Sequence, residues 1–187
     1  MCNNLCLNFG WKYLTQEVLE GKDILEVGAR DINGTLRYHC EKFKINSYYG
    51  IDIEEGKGVD SVLSVYDLIE DTSGVSLYDI VICTEVLEHL EDWRLAVNNM
   101  KAVLKSGGYI LITTRSKGFK YHAYPHDYWR YEIKDMREIF SDFMNVILGE
   151  DSAGEPGVFV FARKPFNWEP NDLSVIELYD IRKEAQS

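Results

Sequence analysis

Short apolar runs alternate with longer amphipathic stretches along this chain, a pattern that few folds can accommodate. The clearest runs are Asp23–Gly28, Ser47–Asp52, Tyr78–Cys83 and Tyr109–Thr114. Each run is short and contains β-branched or aromatic residues, as expected of a buried strand. Strand and helix in repeated succession predict an α/β fold, a mainly parallel sheet with helices on both faces. Such sheets bind ligands at the carboxyl ends of their strands.

The remaining elements follow from the same spacing rules. Apolar residues at helical spacing predict helices over residues 9–19, 34–43, 86–104, 134–143 and 171–183. A weaker strand is predicted over residues 59–65. Strands over residues 146–148 and 158–162 are separated by Gly154, Pro156 and Gly157, which is a hairpin signal. The 187 residues suffice for one domain, divided into an N-terminal helix and lid (1–22), a core (23–163) and a tail (164–187).

The charge balance of the chain is acidic. Acidic residues outnumber basic ones by 31 to 20, a formal net charge of −11, so we expect no nucleic-acid partner. No run approaches the roughly 20 apolar residues that span a bilayer, and the first residues lack a signal-peptide pattern, so we expect a cytoplasmic protein without a membrane partner. Cys2 and Cys6 could ligate a metal, but no second pair accompanies them.

A glycine turn and a later aspartate mark the ends of the first two predicted strands. Gly28 follows the first strand, where glycine lets a ligand approach the backbone closely. Asp52 ends the second strand. An acidic residue about 20 residues beyond the glycine is where α/β nucleotide folds bind ribose hydroxyls. Separately, these residues could be an ordinary turn and a cap; together they favour a nucleotide-like ligand.

Four segments carry a more specific likeness. They read ILEVGARDINGTLR, YYGIDIEEGKGVD, YDIVICTEVLEHLEDWRLAVNNMKAVLKSGGYILITT and HAYPHDYWRY. Together they resemble the class I S-adenosylmethionine-dependent methyltransferases, especially a small branch whose fifth strand precedes a His…Pro-His-Asp-Tyr-Trp-Arg loop. The likeness extends from Asp23 to Arg163.

The resemblance implies a Rossmann-like fold with a seven-stranded sheet, an antiparallel C-terminal hairpin strand and S-adenosyl-L-methionine as cofactor. Residues after the first strand would lie beside the methionine part, and Asp52 would bind the ribose. The segments after the second and third strands would hold the adenine, and residues after the fourth would form the floor below the sulfonium. The cofactor residues implied in this way are Glu26, Gly28, Arg30, Gly34, Asp52, Ile53, Ser64, Val65, Tyr66, Thr84, Glu85 and Val86.

Two departures from the family's usual pattern concern the cofactor. Arg30 and Ile32 stand where the second and third glycines of a Gly-x-Gly-x-Gly motif would be. Arg30 could bind the methionine carboxylate or could be a solvated side chain beside a rearranged turn. Ser64 stands where the family commonly has an aspartate that accepts from the adenine amino group, and a hydroxyl can still accept.

Residues 116–131 follow the fifth strand and combine aromatic with titratable side chains, as expected of an acceptor loop. Asp127, Tyr128 and Arg130 could instead pin the following helix. We expect no metal on the loop histidines, because Pro125 interrupts the helix that would align them and no fourth ligand is evident. We interpret His89 as a structural residue that bonds to a neighbouring loop. The candidate catalytic residues are His122, His126, Asp127, Tyr128 and Arg130.

These features predict an enzyme that moves the sulfonium methyl group to an oxygen or nitrogen of a small molecule or glycan. Positioning and exclusion of water would supply much of the rate. A hydroxyl acceptor would need a base, for which His122 and His126 are the candidates. Two alternatives remain: a non-catalytic cofactor-binding module, and an NAD-dependent oxidoreductase, which would need a different glycine spacing. The sequence does not indicate the acceptor or the oligomeric state.

Overall fold

The computed structural model describes residues 4–123, 125–151 and 155–183. The helices are α1 Asn4–Tyr13, α2 Gln16–Leu19, α3 Arg37–Cys40, α4 Leu68–Asp71, α5 Trp93–Val103 and α6 Ile133–Ile139, with 3-10 helices at Leu87–His89 and Ile181–Lys183. The strands are β1 Asp23–Val27, β2 Ser47–Asp52, β3 Ser61–Val62, β4 Tyr78–Thr84, β5 Leu104–Arg115, β6 Trp129–Arg130, β7 Met144–Asp151, β8 Gly157–Arg163 and β9 Tyr179–Asp180.

Seven strands form one sheet in the order β3-β2-β1-β4-β5-β8-β7. The first five strands of this order are parallel to one another. β8 runs antiparallel to both β5 and β7. This topology confirms the predicted α/β fold with its antiparallel hairpin strand. β6 and β9 pair in a separate two-stranded ribbon.

Hydrophobic cores cover both faces of the sheet. Neighbouring residues of a strand point to opposite faces, so Ile80 and Val81 of β4 are both fully buried, in different cores. Val81 shares its core with Trp93 of α5, and Ile80 shares the other with Leu36. Among the described residues, no helix has the length and apolar character needed to cross a membrane.

The predicted helix over residues 86–104 is wrong at its start. The chain forms a 3-10 helix at Leu87–His89, leaves helical geometry at Leu90 and begins α5 only at Trp93. The Asp92 carboxylate caps α5 by accepting a hydrogen bond from the Leu95 backbone N–H at 3.0 Å. The interruption places His89 outside α5, against the loop that follows β5.

The predicted helix over residues 171–183 is also wrong. Residues 164–183 contain no α-helix; they form a strap whose strand β9 pairs with β6. Arg94 of α5 donates from Nε to the Leu173 carbonyl at 2.9 Å and from Nη2 to the Ile176 carbonyl. Leu173 and Ile176 are themselves buried. The Arg94 side chain thus bonds two carbonyl oxygens that would have accepted backbone N–H groups within a helix.

Other predicted bounds shift. The helix over residues 9–19 is replaced by α1 and α2, and those over 34–43 and 134–143 shorten to α3 and α6. The strand over 59–65 shortens to β3, whereas both hairpin strands are longer than predicted. Cys2 and Gly154 lie outside the described residues.

Candidate active site

Strand register brings the ends of the parallel strands into one row. Val27 of β1 pairs with Ile51 of β2 and with Cys83 of β4. The residues that follow these three positions therefore emerge side by side at one edge of the sheet. They are Gly28, Asp52 and Thr84.

Gly28 turns the chain at the end of β1. Its φ of +76° lies in the left-handed region that favours glycine. A Cβ here would lie 2.2 Å from Cγ2 of Val86. The Gly28 N–H donates to the Ile51 carbonyl at 2.9 Å. The predicted turn is therefore held between β2 and the segment after β4. Gly34, further along, donates its N–H to Asp31 Oδ1 at 3.1 Å.

Asp52 is partly buried at the end of β2, and backbone donors fix its carboxylate. The Arg30 N–H donates to Oδ2 at 3.2 Å, and the Glu54 N–H donates to Oδ1 at 3.1 Å. A carboxylate has acceptor sites for about four hydrogen bonds, so both oxygens retain capacity for a ligand. Ile53, the next residue, is 60% exposed. An acceptor pair beside an exposed apolar side chain fits a ribose with its attached base.

Glu26 is buried in β1, two residues before the glycine turn. Thr35 Oγ1 lies 3.1 Å from both of its carboxylate oxygens. Burial raises the pKa of Glu26 to about 7, against the lowering effect of Tyr48, Thr35 and Arg37. Near neutrality this carboxyl group is therefore poised between its protonated and ionised forms.

The Arg30 side chain is paired with Glu54 and lies against Gly56. Both partners belong to the loop that follows β2. This pairing is compatible with the solvated-turn alternative, and a contact between Arg30 and a cofactor carboxylate stays a prediction.

The segment after β3 is anchored on α5. Nδ2 of Asn99 donates to the carbonyls of Val65 and Tyr66, each at 2.9 Å. The Tyr66 hydroxyl accepts from the Asp92 N–H at 3.2 Å. Ser64 Oγ accepts from the Tyr66 N–H at 3.2 Å. The predicted adenine-end residues thus lie on a segment that α5 holds in place.

Glu85 leaves β4 with a φ of +59°, a strained conformation for a residue with a side chain. Its Oε2 lies 2.5 Å from Arg115 Nε, and its Oε1 accepts from Cys6 Sγ at 3.2 Å. Burial raises the pKa of Glu85 to about 7; Glu88 adds to this effect and Arg115 opposes it. Glu85 and its neighbour Thr84 are both buried, and α1 covers Glu85 through Cys6.

Asp127 and Arg130 form a buried ion pair that shapes the loop after β5. Nη1 and Nη2 of Arg130 lie 2.5 and 2.7 Å from the two Asp127 oxygens. The same guanidinium donates to the carbonyls of Phe119, Lys120 and Trp129 at 3.2, 3.0 and 2.9 Å. Arg130 has no exposed surface. These contacts hold the loop itself, whereas the following helix α6 is capped by Glu132 and Asp135, so the alternative in which Asp127 and Arg130 pin that helix is wrong.

His122 lies between two carboxylates. Its Nδ1 is 3.0 Å from Asp127 Oδ2, and its Nε2 is 3.7 Å from Glu88 Oε1. Burial lowers the pKa of His122, but Asp127 and Glu88 outweigh that effect and raise the pKa to about 9. A metal-free His122 is therefore protonated near neutrality and poorly suited to act as a base.

His89 also lies beside the Glu88 carboxylate, with Nε2 3.8 Å from Oε1. Its Nδ1 lies 2.6 Å from the His126 carbonyl oxygen, which confirms the predicted bond to a neighbouring loop. The rings of His89 and His122 are 4.8 Å apart. The His126 side chain is exposed, and its ring lies 5.7 Å from the ring of Tyr128.

Among the buried charged residues that were not predicted, Glu88 and Arg115 lie at this site. Thr114 Oγ1 donates to Glu88 Oε2 at 2.8 Å, and Arg115 pairs with Glu85. The signal was the sequence Glu-Val-Leu-Glu-His, which places two acidic residues in an otherwise apolar stretch after a strand. Because this stretch was interpreted as the start of a helix, its second acidic residue was not recognised as part of the site.

A family model described as a methyltransferase domain matches residues 11–145. The chain belongs to the class I S-adenosylmethionine-dependent methyltransferases. The family predicted from the four segments is thereby confirmed, and S-adenosylmethionine is the cofactor of that family.

Among curated proteins, the methyltransferase is similar to a ubiquinone biosynthesis O-methyltransferase of Coxiella burnetii (strain RSA 493 / Nine Mile phase I). The two are 28% identical over 124 residues, 60% of this chain and 52% of the relative. The chain thus spans about half the length of the curated relatives it matches.

Two solved structures show the same fold at low sequence identity. One is a 1,6-didemethyltoxoflavin-N1-methyltransferase of Burkholderia thailandensis, with a TM-score of 0.69 and 16% identity over 87% of this chain and 80% of that one. The other is an S-adenosylmethionine-dependent methyltransferase of Archaeoglobus fulgidus, with a TM-score of 0.67 and 16% identity over 86% of this chain and 93% of that one. Both likenesses bear out the architecture described above.

Proposed function

We propose that this methyltransferase transfers a methyl group from S-adenosylmethionine to an oxygen or nitrogen of a small-molecule acceptor. The observation that carries the proposal is the Asp52 carboxylate, fixed by two backbone N–H groups one strand away from the Gly28 turn. When bound, S-adenosylmethionine supplies a methyl group already activated by its sulfonium. The chain's own task is then to orient the reactants and exclude water.

The donor and acceptor groups at the sheet edge suit the parts of that cofactor. Asp52 would accept from the ribose hydroxyls, and Ile53 would pack on the adenine. Glu26, once ionised, would pair with the amino group of the methionine part. Ser64 Oγ offers an acceptor toward the adenine end.

The acceptor would bind beside the loop of residues 116–131. A cavity of about 310 Å³ opens next to the start of this loop, lined in part by Ser116, Lys117, Glu132 and Glu150. Because Ser116 follows β5, the cavity lies at the edge of the sheet where the parallel strands end. Its mixed charges favour a polar small molecule, and a glycan acceptor stays a prediction. His126, the exposed histidine of the loop, is the candidate base for a hydroxyl acceptor.

Similar proteins support both kinds of acceptor atom. The Coxiella relative is named an O-methyltransferase, and the Burkholderia enzyme is named an N1-methyltransferase. The structure of the latter holds 1,6-didemethyltoxoflavin and S-adenosylhomocysteine. These names support a small acceptor carrying a nucleophilic oxygen or nitrogen.

Transfer of a labelled methyl group from S-adenosylmethionine to a panel of small phenols, alcohols and amines tests the proposal. We expect a labelled product together with S-adenosylhomocysteine. Tight S-adenosylhomocysteine binding without turnover on any acceptor would favour the non-catalytic module instead.

Replacing Asp52 by alanine should weaken S-adenosylhomocysteine binding by about 2 kcal/mol, roughly 30-fold, because charge-assisted hydrogen bonds to the ribose are lost. Calorimetry measures the change. Glu55→Ala is the matched control: this exposed carboxylate lies three residues further on, and its removal should leave the affinity unchanged. Equal affinities for the Asp52 variant and the natural chain would remove Asp52 from the cofactor site.

Replacing Arg30 by alanine should weaken S-adenosylhomocysteine binding about tenfold and leave 5′-methylthioadenosine binding unchanged, because only the first ligand carries the methionine carboxylate. Calorimetry with both ligands separates the two roles of Arg30. Equal losses for both ligands would assign Arg30 to the turn alone, where it pairs with Glu54.

A further inference from the structure

A second cluster of ligand atoms lies between the segment after β4 and the loop after β5. We infer that Glu88, His89 and His122 bind one divalent transition-metal ion, which departs from the sequence-based expectation of no metal on the loop histidines. This inference goes beyond the proposed methyl transfer and does not depend on it. Glu85, despite its position in the same motif, is outside the set, because it is committed to Arg115 and Cys6.

Three ligand atoms converge on one point. Nε2 of His89 lies 3.8 Å from Glu88 Oε1, and Nε2 of His122 lies 3.7 Å from the same oxygen. One ligand atom from each of the three residues lies within 4.8 Å of the other two. Zinc–ligand bonds of about 2.0–2.1 Å in a tetrahedron separate neighbouring ligand atoms by about 3.4 Å. The two histidine nitrogens would therefore need to approach Glu88 Oε1 by a few tenths of an ångström, and each other by at most about 1.4 Å, to reach coordination distance.

The outer ring nitrogens of both histidines lie beside oxygen atoms, so the inner nitrogens face the centre of the cluster. A carbonyl oxygen can only accept, so the His89 Nδ1 beside the His126 carbonyl carries the proton and Nε2 keeps its lone pair. On His122, Nδ1 lies 3.0 Å from the Asp127 carboxylate, so Nε2 is the nitrogen that faces Glu88. Carbonyl or carboxylate partners on the outer nitrogen are typical of histidines that bind metals.

Glu88 supplies the buried anion of the site. Its side chain has no exposed surface, and Thr114 holds Oε2. Oε1 is buried and has no hydrogen-bond partner within residues 4–123, 125–151 and 155–183. A buried carboxylate oxygen left without a partner is costly. A cation at the centre would pair with this oxygen and with both imidazole lone pairs at once.

The ligand types select the class of metal. Two imidazoles and one carboxylate suit zinc, cobalt or iron, whereas magnesium and calcium prefer oxygen ligands alone. The side chains of His89 and His122 are 14% and 23% exposed, so solvent reaches the cluster. Three protein ligands with solvent access leave a coordination position for water or for an acceptor oxygen. The ion would also fix the loop of His122 against the segment of Glu88.

Titration of the tag-free, EDTA-stripped chain with Co²⁺ and with Zn²⁺ tests the site. We expect one equivalent of Co²⁺ to bind with the visible absorption of a nitrogen- and oxygen-ligated site, and Zn²⁺ to displace it. His122→Ala and His89→Ala should each lower the affinity by at least about 100-fold. His126→Ala is the matched control, because its exposed ring is not a ligand and its carbonyl contact to His89 is retained.

Calorimetry with S-adenosylhomocysteine on the same variants separates this inference from the proposed function. Unchanged affinity there shows that a variant is folded and that only the metal site is lost. If one histidine variant does not fold, the other and Glu88→Gln still provide the comparison. The inference is overturned if the natural chain binds neither metal stoichiometrically. It is also overturned if binding persists in folded ligand variants, or is lost equally in His126→Ala.

Discussion

Replacing Arg130 by alanine is expected to lower the free energy of unfolding by about 3–5 kcal/mol, the usual cost of breaking a buried ion pair from one side. The reason is geometric. The guanidinium holds both oxygens of Asp127, and both side chains are fully buried. Its removal takes away the guanidinium, leaves the buried carboxylate only the His122 ring as a cationic neighbour, and frees three carbonyls of the loop. In a domain of this size the melting temperature should fall by roughly 10 °C.

Thermal and urea unfolding measure the Arg130 effect. Lys134→Ala is the matched control, because Lys134 pairs with Glu132 at the surface with 73% of its side chain exposed. Surface pairs of this kind contribute little, so this variant should unfold as the natural chain does. A melting temperature for Arg130→Ala equal to that of the Lys134 control would show that the Asp127–Arg130 pair does not stabilise the fold.

Replacing Glu26 by glutamine should change how stability depends on pH. Because burial raises the folded pKa of Glu26 to about 7, above its ordinary value of 4.5, the folded chain keeps a proton that the unfolded chain loses. Stability from this group is fully present below about pH 4.5 and is lost as the pH rises through about 7. The glutamine variant does not ionise and lacks this loss. Its free energy of unfolding should therefore exceed that of the natural chain by up to about 3 kcal/mol at pH 8.

Urea unfolding between pH 5 and pH 8 measures the Glu26 effect, with exposed Glu20→Gln as the control that should keep the natural slope. Charged neighbours also face Glu26: Arg37 lowers its pKa and Asp31 raises it. Parallel pH profiles for the Glu26 variant and the natural chain would mean that Glu26 is ionised throughout. The proposed function adds a second readout, an S-adenosylhomocysteine affinity that rises from pH 6 to pH 8 only when Glu26 is present.

The sheet was predictable because most of its strands can be recognised from the local pattern of apolar residues. β1, β2 and β4 are short apolar runs, and their alternation with helices indicates a mainly parallel sheet. The positions of Gly28 and Asp52 followed in turn, since strand ends in a parallel sheet meet at one edge. These parts of the fold depend on residues close together in the chain.

The parts that were missed depend on distant contacts. The strap after β8 is held by Arg94 of α5, and no local pattern in residues 171–183 reveals that partner. The break before α5 did carry a signal, the Asp92 cap, which the apolar spacing concealed. Glu88 contacts Thr114 and His122, which lie more than 25 residues further along the chain. Its place in a cluster therefore required the three-dimensional structure.

Calorimetry with S-adenosylhomocysteine tests whether the edge formed by Gly28 and Asp52 binds S-adenosylmethionine. We expect saturable binding of one equivalent to the natural chain, loss of affinity in Asp52→Ala, and no binding of NAD. A folded natural chain that binds NAD, or that shows no heat with S-adenosylhomocysteine, would contradict this expectation.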